Sequence, residues 1–235
     1  MNVLVIGGSG GIGLALVKQL LEQHNIHSVI ATWCTKQPTL EHPKLSWQRL
    51  NLCDESAIAA SLSQIEKLDW LINCAGVLHS EHLKPEKSLS QCQADSFMQS
   101  MQINALPSLL LAKHAAKALK GSQSGVFLTI SAKLASISDN KIGGWHSYRC
   151  AKAALNMALK NVSIEWQRTH PKVCVVAWHP GTTDTALSKP FQKNVAPEKL
   201  LSSEHSAHLL LNKLQQLSPA DTGTFWSWDG QQLSW

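Results

Sequence analysis

The chain carries a single tyrosine, Tyr148, although its 235 residues include nine tryptophans and four phenylalanines. Several other features are scarce, and each scarcity excludes something. No apolar run approaches the roughly 18 residues that a membrane-spanning helix requires. The formal charge of +5 is spread along the chain without a Lys/Arg run, so neither nucleic acid nor a membrane is expected as a partner. The six cysteines (Cys34, Cys53, Cys74, Cys92, Cys150 and Cys174) include no CxxC pair and read as reduced thiols. Among the eleven histidines, His24/His27, His79/His82 and His205/His208 have helix-face spacing, but none has a third ligand nearby in sequence, and no metal site is expected. No linker, repeat or low-complexity tract interrupts the chain, so residues 1–235 are expected to form one domain. The opening "MNVLVIGG" enters an apolar β-branched run at once, leaves no room for a signal peptide and points to the cytoplasm.

Strand and helix patterns alternate. "NVLVI" (2–6), "HSVIATW" (27–33), "LSWQRLNL" (45–52), "LDWLINCAG" (68–76), "GVFLTIS" (125–131), "KVCVVAWHPG" (172–181) and "TGTFWSW" (222–228) read as seven strands. Helical spacing is found in "LALVKQLLEQH", "ESAIAASLSQI", a long stretch from about Ser90 to Lys120 interrupted by Pro107, residues 145–168, and "SEHSAHLLLNKLQQL". Strands separated by helices of ten or more residues imply right-handed crossovers. The expected fold is therefore α/β: a doubly wound, Rossmann-type, mostly parallel seven-stranded sheet with helices on both faces. In such sheets ligands bind beyond the carboxyl ends of the strands.

Directly after the first strand stands "GGSGGIG", comprising Gly7, Gly8, Ser9, Gly10, Gly11, Ile12 and Gly13. A helix beginning there presents unpaired N–H groups and its positive end, and glycines let a pyrophosphate approach closely. This context, strand then glycines then helix, is the one a dinucleotide fingerprint requires. The second strand ends in "ATWCTKQ", where an acid would accept hydrogen bonds from the ribose of NAD. No acid is present around Trp33, and a hydroxyl with Lys36 nearby suits the extra phosphate of NADP better, although the usual arginine is missing. NADP is favoured and NAD stays possible. Asn51 and Leu52, at the end of the third strand, can border the adenine, and the small residues of "NCAG", Asn73 to Gly76, let a ribose lie close to backbone.

Tyr148 and Lys152 are four residues apart in a helical segment and so share a face. A free phenol titrates near 10, and a lysine ammonium within about 4–6 Å lowers that value by favouring the phenolate. Tyrosine so placed can donate a proton to a carbonyl oxygen, or take one from an alcohol in reverse.

With "GGSGGIG", "NCAG", Asn104, a serine-bearing fifth strand, "YRCAK" and "HPGTTDT" in that order, the whole chain resembles the short-chain dehydrogenase/reductase family. The segment "SAKLASISDNKIGGWHSYRCAKAALNMAL" and the ending "GTFWSWDGQQLSW" are most similar to its C-factor/sniffer-like carbonyl reductase branch. The resemblance implies an oxidoreductase moving a hydride between a nicotinamide cofactor and a small carbonyl or alcohol substrate. Tyr148 would be the general acid/base and Lys152 would depress its pKa and hold the nicotinamide ribose. Asn104 would anchor a water that relays protons, beside a helix that Pro107 disturbs. Pro180, Gly181, Thr183 and Thr185 would border the nicotinamide carboxamide. In the segment after Thr185, Leu187, Pro190 and Phe191 can offer the apolar surface of a lid or form a plain surface loop, and Trp145 can line the pocket or belong to the core. Pairing through the two long helices after strands four and five would give a homodimer or homotetramer.

Three positions depart from the family pattern. Ile6 stands where many members have Thr, removing a hydroxyl that braces the loop. Asn51 replaces a common adenine-binding Asp. Where two serines often end the fifth strand, the chain has Ser131-Ala132; Ser131 is expected to bind the substrate oxygen, with Ser136 as the other candidate. The alternative to an enzyme is a dinucleotide-binding signalling or regulatory protein, a role associated with relatives in the C-factor branch.

Overall fold

A computed structural model describes residues 1–235. In chain order the elements are β1 (Asn2–Ile6), α1 (Gly11–Leu21), β2 (Ser28–Trp33), β3 (Leu45–Arg49), α2 (Glu55–Ser63), β4 (Trp70–Asn73), α3 (Ala94–Asn104), α4 (Leu106–Lys120), β5 (Gly125–Ile130), α5 (His146–Thr169), β6 (Val173–His179), β7 (Thr182–Thr183), β8 (Leu200–Leu201), α6 (Ser203–Gln216) and β9 (Thr224–Ser227). Seven strands form one parallel sheet in the order β3-β2-β1-β4-β5-β6-β9, and β7 pairs with β8 separately. These are the seven strands expected from the sequence. The chain lays β2 and β3 on one side of β1, then returns to lay β4 on the other, so the loops after β1 and β4 diverge and leave a crevice between them.

Continuous apolar strands follow from covering both sheet faces. On one face Val5, Ala31, Val176 and Trp178 pack against Leu16 and Leu20 of α1 and Leu210 of α6; on the other, Leu4, Ile6, Phe127 and Val175 pack under Leu111 of α4 and Leu155 and Leu159 of α5. Trp178, Phe127 and Phe225 are fully enclosed, each contributing roughly 1.5–3 kcal/mol through burial.

Some boundaries differ from the periodic pattern, for local reasons. β3 stops at Arg49 because Asn51 folds back: its Oδ1 accepts the Cys53 N–H at 3.1 Å, and Asp54 then caps α2 by accepting the Ala57 N–H at 3.1 Å. The long helical stretch divides at Ala105 (φ −105°, ψ −58°) into α3 and α4. Pro107 has no N–H to offer Ile103, and the Ser108 N–H donates to the Ala105 carbonyl at 3.2 Å, leaving the Asn104 carbonyl without its helical partner.

Candidate active site

The glycine loop closes on backbone at two points. Gly7 has φ +71°, and a Cβ there would lie 2.9 Å from the Ala75 nitrogen; a Cβ on Gly13 would lie 2.3 Å from the Gly7 carbonyl oxygen. The hydroxyl that Ile6 cannot provide comes from β2 instead, where Thr32 Oγ1 accepts the Gly7 N–H at 2.9 Å. Thr32 is buried, so its hydroxyl braces the loop and does not face a phosphate. α1 begins at Gly11 with no side-chain cap and no acid in its first turn, while Ser9 and Ile12 are half-buried and Gly10 and Gly11 exposed. Uncapped N–H groups beside exposed glycines fit a dinucleotide pyrophosphate. Across the cradle, Thr185 comes so close to Gly11 that a Cβ there would meet its methyl group at 2.5 Å.

At the far end of the crevice Trp33 is in register with Arg49, whose guanidinium carbon lies 5.7 Å from the indole centroid. A cation absent from the end of β2 is thus present on the neighbouring strand, and no local motif marks it. Asn51 is exposed and Leu52 half-buried beside it, and Lys36 is exposed in the loop after β2. Asn73 is buried, its Oδ1 accepting the Ala75 N–H at 3.1 Å, which shapes the turn into Gly76.

Gly76 is the meeting point of the central residues: a Cβ on it would lie 3.3 Å from both Asn104 Oδ1 and Lys152 Nζ. The Asn104 amide grips the Val77 backbone from both sides, with Oδ1 accepting its N–H and Nδ2 donating to its carbonyl, each at 2.9 Å. Its side chain is therefore committed, and the free acceptor at this residue is its main-chain carbonyl. Lys152 Nζ donates to the Ile130 carbonyl at 3.0 Å and lies 5.9 Å from the Tyr148 ring centroid. Both side chains are enclosed, Tyr148 at 8% and Lys152 at 3% exposure. Burial pushes the Tyr148 phenol above its ordinary value and pushes Lys152 down to about 8.

The two serines differ in surroundings. Ser131 Oγ donates to Asn156 Oδ1 at 2.6 Å, placing it beside the stripe Tyr148, Lys152, Asn156 on α5. Ser136 Oγ donates to the Trp235 carbonyl at 3.2 Å, tying it to the chain end. Neither hydroxyl hydrogen-bonds Tyr148.

β6 leads through Pro180 and Gly181 into β7. Thr183 is buried, with Oγ1 donating to the Pro180 carbonyl at 3.2 Å, so its hydroxyl is spent within the turn. Thr185 Oγ1 donates to the Thr183 carbonyl at 3.4 Å. The following segment is strapped down: Phe191 lies 5.0 Å from Trp145 and 5.6 Å from His79 between ring centroids, and Trp145 lies edge-on to Tyr148 at 6.4 Å. His79 Nε2 also meets the Ala186 carbonyl at 3.1 Å.

The family model described as short chain dehydrogenase matches residues 1–196. The chain is similar to the 1-hydroxy-2-glutathionyl-2-methyl-3-butene dehydrogenase of Rhodococcus sp. (strain AD45), at 25% identity over 240 residues, covering 100% of this chain and 99% of that protein. Among solved structures, the NADPH-bound carbonyl reductase from chicken fatty liver superposes with a TM-score of 0.85 at 26% identity, covering 100% of this chain and 94% of that one. The carbonyl reductase Sniffer of D. melanogaster shares the fold with a TM-score of 0.87 at 23% identity, covering 100% and 99%. Matched by one family model over most of its length, and folded as the crevice geometry of that family requires, the chain belongs to the short-chain dehydrogenase/reductase family of oxidoreductases.

Proposed function

We propose that the chain, acting as one domain over residues 1–235, is an NADP-preferring carbonyl reductase that transfers a hydride to or from a ketone or aldehyde. The observation that carries this reading is the enclosed pair of Tyr148 and Lys152, 5.9 Å between ammonium nitrogen and ring centroid, with Lys152 against the Gly76 turn. The reduced nicotinamide, when bound, supplies the hydride. Gly7, Ser9, Gly10, Gly11, Ile12 and Gly13 hold the pyrophosphate; Asn73, Ala75 and Gly76 leave room for the ribose; Pro180, Gly181, Thr183 and Thr185 border the carboxamide. Tyr148 gives its proton to the carbonyl oxygen, Lys152 stabilises the phenolate left behind, and the Asn104 carbonyl offers an acceptor for a water that returns the proton. The aromatic wall of Trp145, Phe191 and His79 beside Tyr148 favours an apolar carbonyl compound. Exposed Phe97, Met98, Leu109, Met157 and Ile164 on α3, α4 and α5 support a homodimer or homotetramer.

The test is NADPH consumption against a panel of ketones and aldehydes, including benzil. Tight NADPH binding with no carbonyl reduced turns the reading toward the regulatory, dinucleotide-binding alternative.

Arg49 beside Trp33 supports NADP as the cofactor, since a guanidinium stacked on indole can reach a phosphate. Arg49→Ala is expected to raise KM for NADPH about tenfold, the loss of one charge-assisted contact, and to leave KM for NADH nearly unchanged. A wild-type kcat/KM higher with NADH than with NADPH overturns the preference.

Ser131 is proposed to bind the substrate oxygen, because it directly follows the strand whose last carbonyl, that of Ile130, accepts from Lys152. Ser131→Ala is expected to lose most of kcat, and Ser136→Ala to keep it. The reverse pattern in steady-state kinetics transfers the role to Ser136.

A further inference from the structure

The loop after β4 buries a carboxylate. Glu86 is 3% exposed and turns toward the start of α5, 61 residues along the chain. Its Oε2 accepts the Ser147 N–H at 3.2 Å, its Oε1 accepts the Ser147 hydroxyl, and its carbonyl accepts the Trp145 N–H. α5 has no acid in its own first turn, and its N-cap residue, Trp145, makes no side-chain cap. Glu86 therefore brings from a distant loop the acceptor and negative charge that a helix start requires. Burial pushes the Glu86 carboxyl up, but the Ser147 hydrogen bonds and the nearby His146 hold it below its ordinary value.

Trp145 has φ +49°, the one residue other than glycine at positive φ, and follows Gly143 and Gly144, both also at positive φ. A tryptophan persists there only where its neighbours hold it. Glu86 grips the residues on either side of His146, and Arg149 Nε braces the Gly144 carbonyl at 3.1 Å. Tyr148 is the third residue of α5, inside the turn that frays most readily, whereas Lys152 lies a turn deeper. The Ser147 carbonyl accepts the Ser100 hydroxyl at 3.2 Å, and Asn104 Nδ2 donates to the Ser100 carbonyl at 3.2 Å. The residue that Glu86 grips is thus tied to Asn104 as well.

We propose that Glu86 is a positioning residue: by holding Trp145 and Ser147 it fixes the first turn of α5 so that the Tyr148 phenol stands beside Lys152, without itself touching substrate or cofactor. This inference rests on Tyr148 being the acid and base.

The experiment compares Glu86→Ala, Glu86→Gln and Ser147→Ala with Tyr148→Phe in the full chain, using NADPH and benzil. Glu86→Ala is expected to lower kcat about 100-fold, as a misplaced reacting group does, with KM for benzil and Kd for NADPH within about threefold of wild type. Glu86→Gln keeps one acceptor oxygen and is expected to lose only about tenfold. Wild-type kcat in Glu86→Ala alongside an inactive Tyr148→Phe overturns the positioning role and leaves the proposed reaction standing. An active Tyr148→Phe overturns the reaction itself. A fall in kcat matched by an equal loss of NADPH affinity marks general disruption and also overturns the inference. Should Glu86→Ala not fold, the other two variants carry the test: kcat losses of about tenfold at unchanged KM support it, and wild-type kcat in both overturns it.

Discussion

Tyr148→Phe is expected to lower kcat for carbonyl reduction by about 10²–10⁴-fold, the contribution of a positioned proton donor, while NADPH binding stays within about threefold of wild type. The substitution removes one oxygen and leaves the ring in place against Trp145 and below Lys152, so the cradle has no reason to change. Full turnover in this variant would mean that another group delivers the proton. The charges around the phenol set the direction of the pH dependence. Burial holds the phenol in its neutral, donating form, and holds Lys152 down to about 8. Below that value Lys152 is a cation and, in the proposed reaction, stabilises the phenolate formed as the proton leaves. Reductive kcat/KM is therefore expected to be level near neutral pH and to fall as pH rises through about 8, and Lys152→Ala is expected to lose that limb together with most of its rate. Stability carries the opposite sign for this group: between about 8 and 10.5 the unfolded chain keeps a proton that the folded one has released. Its burial cost is fully present below that window and is relieved as pH rises across it.

Gly13→Ala is expected to abolish useful cofactor binding. The new methyl would lie 2.3 Å from the Gly7 oxygen, 3.0 Å from the Gly7 carbonyl carbon and 3.1 Å from Gly8 Cα. All three are backbone atoms, and none can swing away as a side chain could. Relieving the clash moves the loop proposed to hold the pyrophosphate, at about 3 kcal/mol for an overpacked site, or about 100-fold in NADPH Kd. The same strain is expected to lower Tm by about 5–10 °C. Gly121→Ala is the control, because a Cβ there meets nothing within 4 Å. Unchanged NADPH titration in Gly13→Ala would remove the glycine loop from the binding site.

Much of this chemistry is legible in the residues themselves. The alternation of apolar strands with helical spacing gives the order of elements, and the four-residue interval from Tyr148 to Lys152 by itself places both on one face of α5. Pro107 marks the break beside Asn104, although the break frees the main-chain carbonyl while the side-chain amide is consumed by Val77. The missing hydroxyl at Ile6 and the missing arginine at the end of β2 are also visible, but their replacements are not. Thr32 braces the loop from the neighbouring strand, Arg49 is the cation proposed for the other place, and nothing in their local sequence distinguishes them from ordinary strand residues.

The sequence alone determined the doubly wound sheet, the glycine loop between β1 and α1 and the shared helix face of Tyr148 and Lys152. Each of these is a periodicity or a spacing within one or two adjacent elements, set by the geometry of helix and strand. Tertiary structure decided what holds those parts in register: Thr32 on Gly7 across 25 residues, Asn104 on Val77 across 27, Ser131 on Asn156 across 25 and Glu86 on Ser147 across 61. Such contacts depend on strand order and on the path of loops between elements, and a buried donor or acceptor takes whichever partner that path delivers.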